Sequence, residues 1–395
     1  MKHILVVAGY WPTSANPISG IFVVQQVAAL VKHGCKVTVV VNRTIGRFDG
    51  SHLTLQDLGI TEKEVDLNVY SAFRLPEKLS STAGAIALNS WLLAVALNKF
   101  LTNRVGPEAQ YDGCIIHGLR YHGLSVQGWK RWIKGDVALV IHGIDPFVLV
   151  PRNKDAIKGL LGSSLGSVCN VVLVGNSLRR FAHDLGIPAS KLRIVFNGTD
   201  LPNPIVGKHG HAADLTCLKI LSVSNLIKLK GVDLTLKALA EISDRQPALN
   251  WVYNIVGDGP EYEHLRELSQ ALGLYSRVSF LGRLSYEETM DEMADADIFV
   301  LPSWAEAFGI VYLEAMARCV PTIGCIDNGA ADIITHGYDG LLVPPKAVTE
   351  LSIEIERLLG SSEYRQELGL NGRATAEKFS WEVNALAMLD IVCAQ

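Results

Sequence analysis

Asp297-Ile-Phe-Val-Leu-Pro-Ser-Trp-Ala-Glu306-Ala-Phe-Gly309-Ile-Val-Tyr-Leu-Glu314 runs from an apolar strand through a short loop into a helix. Pro302-Ser-Trp304 ends the strand. Phe308-Gly309-Ile310 opens the helix, whose apolar positions Ile310, Val311, Leu313, Ala317 and Val320 fall mostly on one side. Backbone amides at such a helix start are unpaired and carry partial positive charge, so an anion or a polyhydroxyl group docks there without a metal. Glu306 stands in the loop facing that ligand. Glu314, on the first turns, is placed to accept a pair of hydroxyl hydrogen bonds of the kind a ribose 2′,3′-diol offers. Read alone, the two carboxylates are equally well a capping acid and a solvated helix residue.

Apolar strands alternate with helical patterns along the whole chain, the signature of parallel sheets with helices on both faces. Strands are expected near residues 3–8, 36–41, 113–117, 137–141, 171–175 and 192–196, then near 218–223, 251–256, 277–281, 298–301, 320–324 and 341–343. Between the two series lies Leu201-Pro-Asn-Pro-Ile-Val-Gly-Lys-His-Gly-His211, rich in Pro, Gly and His and without periodicity. The expected architecture is α/β, two Rossmann-like doubly wound domains. Residues 1–203 form the first, 204–216 the linker and 217–379 the second, and a last helix in 380–395 crosses back to the first domain. The ligand cleft is expected between the carboxyl ends of their strands.

Composition agrees with two domains: 395 residues, half of them apolar, exceed one ordinary core. A net charge of −4 excludes a polybasic nucleic-acid surface as the main theme. Seven scattered cysteines (Cys35, Cys114, Cys169, Cys217, Cys319, Cys325 and Cys393) include no Cys-x-x-Cys pair, which points to reduced thiols in the cytoplasm and away from zinc. Met1 to Ala8 reads as a first buried strand and not as a leader, because its apolar run is short and Tyr10-Trp-Pro12 follows. Ala83 to Leu101 is about long enough to span a bilayer, yet Asn89 and Asn98 interrupt it and basic flanks are missing. A buried or membrane-surface helix is the expectation. Trp91 and Leu92-Leu93 are either core residues, the favoured reading, or a peripheral contact with the inner face of a membrane.

Other turns share the pattern of the Glu306 loop. Tyr10-Trp-Pro-Thr-Ser-Ala-Asn-Pro-Ile-Ser-Gly20 follows the first strand and leads into a helix, and Gly20 lets backbone approach a phosphate. Val140-Ile-His142-Gly-Ile-Asp145 places an imidazole and a carboxylate at a strand end. Ser224-Asn225-Leu-Ile-Lys228-Leu-Lys230-Gly231 sets an ammonium just before a helix start, where a diphosphate would also meet helix amides; alone, a solvated lysine explains it as well. Phe280-Leu-Gly282-Arg283 ends a strand and would border a base. Phe196-Asn-Gly198 reads as a turn without chemistry.

In this order and spacing the motifs resemble the retaining GT-B glycosyltransferases of the large family 4 type (glycosyl transferases group 1), nearly end to end and most strongly from Gly282 through Pro345. The resemblance implies that Glu306 lies by the donor hexose and Glu314 holds the nucleotide ribose. It implies that Lys230 neutralises the diphosphate, the Gly20 loop closes over it, and His142 contacts the donor sugar. Catalytic residues are then Glu306, Lys230 and His142; donor-binding residues are Gly20, Asn225, Lys228, Arg283, Phe308, Gly309, Ile310 and Glu314. No cofactor beyond the nucleotide-diphosphate sugar is expected, and no metal, since Asp295-Ala-Asp297 leads into a buried strand. The donor sugar, UDP-linked in preference to GDP-linked, would pass to a glycan or lipid-linked acceptor in cell-envelope or exopolysaccharide synthesis. Same-face attack and a two-step route through Glu306 both remain open. Asn225 departs from the pattern: many members carry arginine there, and the bidentate cation is lost. Lys228 is near enough in sequence to compensate. Asp332 stands where glutamate is usual. The alternatives are a non-catalytic nucleotide-sugar-binding protein with a degenerate site, an epimerase or glycogen-phosphorylase relative, whose signatures are missing, and a scaffold with a vestigial site.

Overall fold

The computed structural model describes residues 1–44, 52–58, 65–73, 82–105, 110–144, 151–202 and 217–393. The chain divides into Met1–Gly198 with Trp381–Gln395, and Thr199–Ser380. The first unit holds β1 (His3–Ala8), α1 (Ile21–Lys32), β2 (Lys36–Thr44), β3 (Val65–Ala72), α2 (Ala83–Val105), β4 (Gly113–His117), β5 (Val137–Ile141), α3 (Pro151–Ser164), β6 (Asn170–Leu173), α4 (Arg179–Asp184) and β7 (Leu192–Ile194). Among the described residues its sheet has the order β3-β2-β1-β4-β5-β6-β7, and every neighbouring pair is parallel. Ile4 to Val7, Ile115, Ile116 and Val137 to Leu139 are fully buried, as strands covered on both faces must be.

The second unit carries β8 (Leu218–Val223), α5 (Val232–Arg245), β9 (Trp251–Val256), α6 (Tyr262–Ala271), β10 (Val278–Gly282), α7 (Tyr286–Asp295), β11 (Ile298–Val300), α8 (Ile310–Met316), β12 (Thr322–Cys325), β13 (Leu341–Val343), α9 (Val348–Gly360) and α10 (Ser362–Ala376). Its parallel sheet runs β10-β9-β8-β11-β12-β13. The order reverses direction once in each sheet, between β1 and β4 and between β8 and β11. At such a point neighbouring strands send their loops to opposite faces, leaving a crevice at the carboxyl ends.

The last helix, α11 (Trp381–Val392), packs on α1 of the first unit. Asn384 at its buried face accepts a hydrogen bond from Gln26 Nε2 (2.6 Å) and donates to the Phe196 carbonyl (2.7 Å). Asp136 N–H donates to Val392 O at 3.0 Å, and a Cβ at Gly113 or Gly135 would lie 2.7 Å from that same oxygen. Two elements differ from expectation. The edge strand β3 went unforeseen because Val65-Asp-Leu-Asn-Val-Tyr-Ser-Ala alternates polar and apolar residues, as an edge strand does, instead of forming one apolar run. The helix expected to reach Val320 stops at Met316, and Cys319 turns the chain at φ +60. The expected linker, 204–216, and Asp145 lie outside the described residues.

Candidate active site

The loops that follow β8 and β11 lock together. The Leu229 carbonyl accepts from Trp304 N–H (3.1 Å) and from the Ser303 hydroxyl (3.2 Å). Gly231, at φ +71, comes so close to the other loop that a Cβ would lie 2.5 Å from Pro302 O. Lys230 Nζ is thereby held 2.5 Å from Glu306 Oε2, although 76 residues separate them in sequence. Only 19% and 15% of these two side chains are exposed, so the pair is much less screened than a surface ion pair.

Glu306 is braced from two more directions. Gly309 adopts φ +88, and a Cβ there would stand 2.5 Å from the Tyr312 ring and 3.0 Å from Glu306 Cγ. Tyr312, fully buried, donates its hydroxyl to Leu301 O at 2.8 Å. From the turn after β12, Asn328 donates to Ser303 O (2.8 Å) and the Gly329 N–H donates to Glu306 O (2.9 Å). Asn328 and Tyr312 went unrecognised in the sequence because nothing local marks a residue whose partner lies on another strand's loop.

Glu314 sits on α8, mostly enclosed by protein. Burial pushes its carboxyl up to about 7, with Arg318 and a hydrogen bond from Tyr286 pulling the other way and Asp200 adding to the rise. Phe308 is buried against Phe379 (centroids 6.2 Å apart), and Ile310 is the first residue of α8. That helix is seven residues long, so its dipole is weaker than a longer helix would supply. Asn225 is exposed in the loop after β8 and Arg283 is exposed just beyond β10. Lys228 is taken up elsewhere: its ammonium lies 2.8 Å from Asp233, a nearly buried carboxylate that Lys237 also approaches at 3.1 Å. Those two ammonium groups hold the Asp233 carboxyl below its ordinary value against the opposing effect of burial.

In the first unit, Gly20 is the left-handed N-cap of α1 (φ +76), and a Cβ would meet the Tyr10 carbonyl carbon at 2.7 Å. Gly231 caps α5 in the same conformation, and neither helix has a side-chain cap. His142 lies just past β5, with the Phe22 ring 4.3 Å away. Its Nε2 is 2.8 Å from Nδ1 of His117, the last residue of β4. His117 also went unrecognised, although a signal existed: Ile116-His-Gly118 and Ile141-His-Gly143 repeat one tripeptide at the ends of adjacent strands.

Asp295 and Asp297 stand at the amino ends of the strands, away from this site. Asp295 is ion-paired with the Lys219 ammonium, and Asp297 accepts the Lys219 N–H at 2.7 Å. Among the described residues no three His, Cys, Asp or Glu side chains converge as a metal site would require.

Residues 208–375 match the glycosyl transferases group 1 family. The chain is 28% identical to the N-acetyl-alpha-D-glucosaminyl L-malate synthase of Bacillus anthracis over 333 residues, 81% of this chain and 80% of that protein. It is 35% identical over 215 residues to an exopolysaccharide phosphotransferase of Streptomyces coelicolor, a match that spans 54% of this chain but only 22% of that much longer protein. In fold it is similar to the Anabaena HepE structure in complex with UDP and glucose, with a TM-score of 0.70 and 19% identity over 99% of each chain. The second unit thus matches the glycosyl transferases group 1 family over residues 208–375, and the chain, with its two parallel-sheet Rossmann-like units, has the GT-B fold.

Proposed function

We propose that this chain is a retaining, metal-independent hexosyltransferase that moves a sugar from a nucleoside-diphosphate donor, UDP in preference to GDP, to a glycan or lipid-linked acceptor in polysaccharide or glycoconjugate synthesis. The observation that carries the reading is the convergence of Lys230 and Glu306 at the β8/β11 reversal, beside the uncapped start of α5. A departing nucleoside diphosphate builds negative charge on its bridging oxygen, and a cation fixed beside helix amides relieves it. Lys230 is neutralised by Glu306 in this structure. The diphosphate therefore replaces the carboxylate as the lysine's partner, and Glu306 is released toward the sugar.

Glu314 takes the ribose diol, and in the first unit His142 is assigned to the sugar. The B. anthracis relative, named for joining an aminosugar to malate, and the UDP and glucose held by HepE support a nucleotide-sugar donor. The engagement of Asp295 and Asp297 with Lys219 supports a reaction without metal. The helix α2 supports a lipid-linked acceptor and a peripheral membrane contact: Asn98 accepts from Trp132 Nε1 within the unit (3.0 Å), while Leu88, Trp91 and Val95 are 43%, 60% and 46% exposed along its outer side.

The test is calorimetric titration with UDP-, GDP- and ADP-sugars, paired with an assay of donor hydrolysis and transfer to a lipid extract. Glu306→Ala is expected to abolish turnover while leaving nucleotide binding largely intact. A second reading, a binding protein without turnover, is favoured by the exposed Asn225 and by the diversion of Lys228 to Asp233. Saturable binding with no hydrolysis or transfer would establish it.

A further inference from the structure

Asp233 is a buried charge in the second unit to which the reaction assigns no part. It is the second residue of α5, and only 4% of its side chain is exposed. An acid in the first turn of a helix is stabilised by the helix amides, and a buried carboxylate needs a cation. Burial works to raise its pKa, but hydrogen bonds from two ammonium groups overcome that and keep it ionised. Lys237, one turn along the same helix at 3.1 Å, meets the need for a cation by itself. Yet a second cation, Lys228 at 2.8 Å, arrives from the loop after β8. Neutralisation does not require it. What the Lys228 contact adds is a tie between that loop and the helix.

The tie falls where the loop has little else to hold it. Lys228–Lys230 is a single 3₁₀ turn, closed by Lys230 N–H to the Ile227 carbonyl (3.0 Å) and Gly231 N–H to the Lys228 carbonyl (3.3 Å). So short a turn is not stable by itself, and the side chains of Ile227 and Leu229 are exposed, so burial does not fix it. Before the turn, Leu226 is fastened to the loop after β9: its N–H donates to Asp258 O and its carbonyl accepts from Glu261 N–H, both at 3.0 Å. After it, Gly231 is pressed against Pro302 of the loop after β11. Between these two fastenings Lys228 reaches across to Asp233, two residues before Lys230 extends to Glu306.

We propose that Asp233 is a positioning residue: through Lys228 it ties the Lys228–Lys230 turn to α5 and so fixes where Lys230 stands beside the first amides of that helix, at which the donor's diphosphate docks. No bond is made or broken in this role. As a charge alone, a carboxylate in the first turn opposes an incoming anion, so the tie and the charge predict opposite effects of removing it. The docking of the diphosphate rests on the function proposed above, whereas the placing of Lys230 is a property of the protein itself and is measured without a ligand.

The experiment is competitive acetylation of the full chain with acetic anhydride, the rate at Lys230 being read by peptide mass spectrometry. Cutting the tie loosens Lys230 from Glu306, so its rate is expected to rise about 3- to 10-fold in both Asp233→Asn and Lys228→Met, and no further in the double variant. Lys237→Met, which leaves the tie intact, and Lys228→Arg, which keeps a cation on Asp233, are expected to match the parent to within about twofold. Calorimetric titration with UDP, GDP and ADP is expected to follow the same order, with Kd for the nucleotide that binds about tenfold higher in Asp233→Asn and Lys228→Met. An unchanged Lys230 rate in either of those two variants overturns the tie, as does an equal rise in Lys237→Met or Lys228→Arg. Tighter nucleotide binding in Asp233→Asn overturns it too, because the carboxylate then acts only as a rival to the ligand's charge. Lys219, paired with Asp295 at the amino ends of the strands, is the internal control: if its rate rises in step with that of Lys230, the whole unit has loosened and the positioning role fails. If no nucleotide binds the parent, the proposed function fails while the acetylation rates still decide this inference.

Discussion

Binding of a nucleotide sugar is expected to be coupled to proton release at Glu314. Its carboxyl is raised from 4.5 to about 7, chiefly by burial, so in the unliganded protein it is half protonated near neutrality. A carboxylic acid keeps one oxygen as a donor, whereas a ribose diol presents two hydroxyls that both need acceptors. The ligand therefore selects the ionised form. At pH 6 only about a tenth of the unliganded protein is ionised there, so affinity falls about tenfold from pH 8 to pH 6, with about 0.9 proton released per ligand at pH 6 and about 0.1 at pH 8. Titration calorimetry of a UDP-sugar in buffers of different ionisation enthalpy reads that number directly, and a sugar nucleotide has no terminal phosphate titrating in the window. The sign for folding is opposite to that of an ordinary salt-bridged acid. The folded state holds its proton more tightly than the unfolded chain, so stability declines as pH rises from about 4.5 to about 7, by at most about 3 kcal/mol. Glu314→Gln is expected to abolish the proton release and to raise the thermal midpoint at pH 8 relative to the parent. Binding that is independent of pH between 6 and 8, with no buffer-dependent heat, refutes the assignment of Glu314 to the diol.

Replacing Lys230 by Met leaves Glu306 partly buried without its cation and removes the diphosphate's partner, so donor affinity is expected to weaken by about 2 kcal/mol or more, read as roughly a 30-fold rise in Kd. Gly309→Ala forces an L-residue into φ +88 with its Cβ against Tyr312 and Glu306; it is expected to cost about 1–3 kcal/mol by chemical denaturation and to lower kcat well beyond what that instability explains. Asn225→Arg is expected to tighten donor binding, because a guanidinium would supply the bidentate cation that Lys228, held by Asp233, does not. Unchanged or weaker binding in that variant shows a site built around the smaller residue.

The strands of both sheets were legible because parallel strands buried on both faces read as unbroken apolar runs such as Ile4-Leu-Val-Val7 and Ile298-Phe-Val300. The helix starts at Gly20, Gly231 and Gly309 were legible because each needs a left-handed φ that glycine tolerates. The edge strand β3 was not, since half-buried alternation is a weaker signal among loop-like neighbours. Sequence alone thus determined two doubly wound units and which loops carry charge and glycine, because those follow from local backbone preference and from burial along a strand. Only the tertiary structure decided which of those residues meet. It paired Lys230 with Glu306 across 76 residues, gave Lys228 to Asp233 and joined His117 to His142. Contacts between loops depend on strand order and register, which no single stretch of chain encodes.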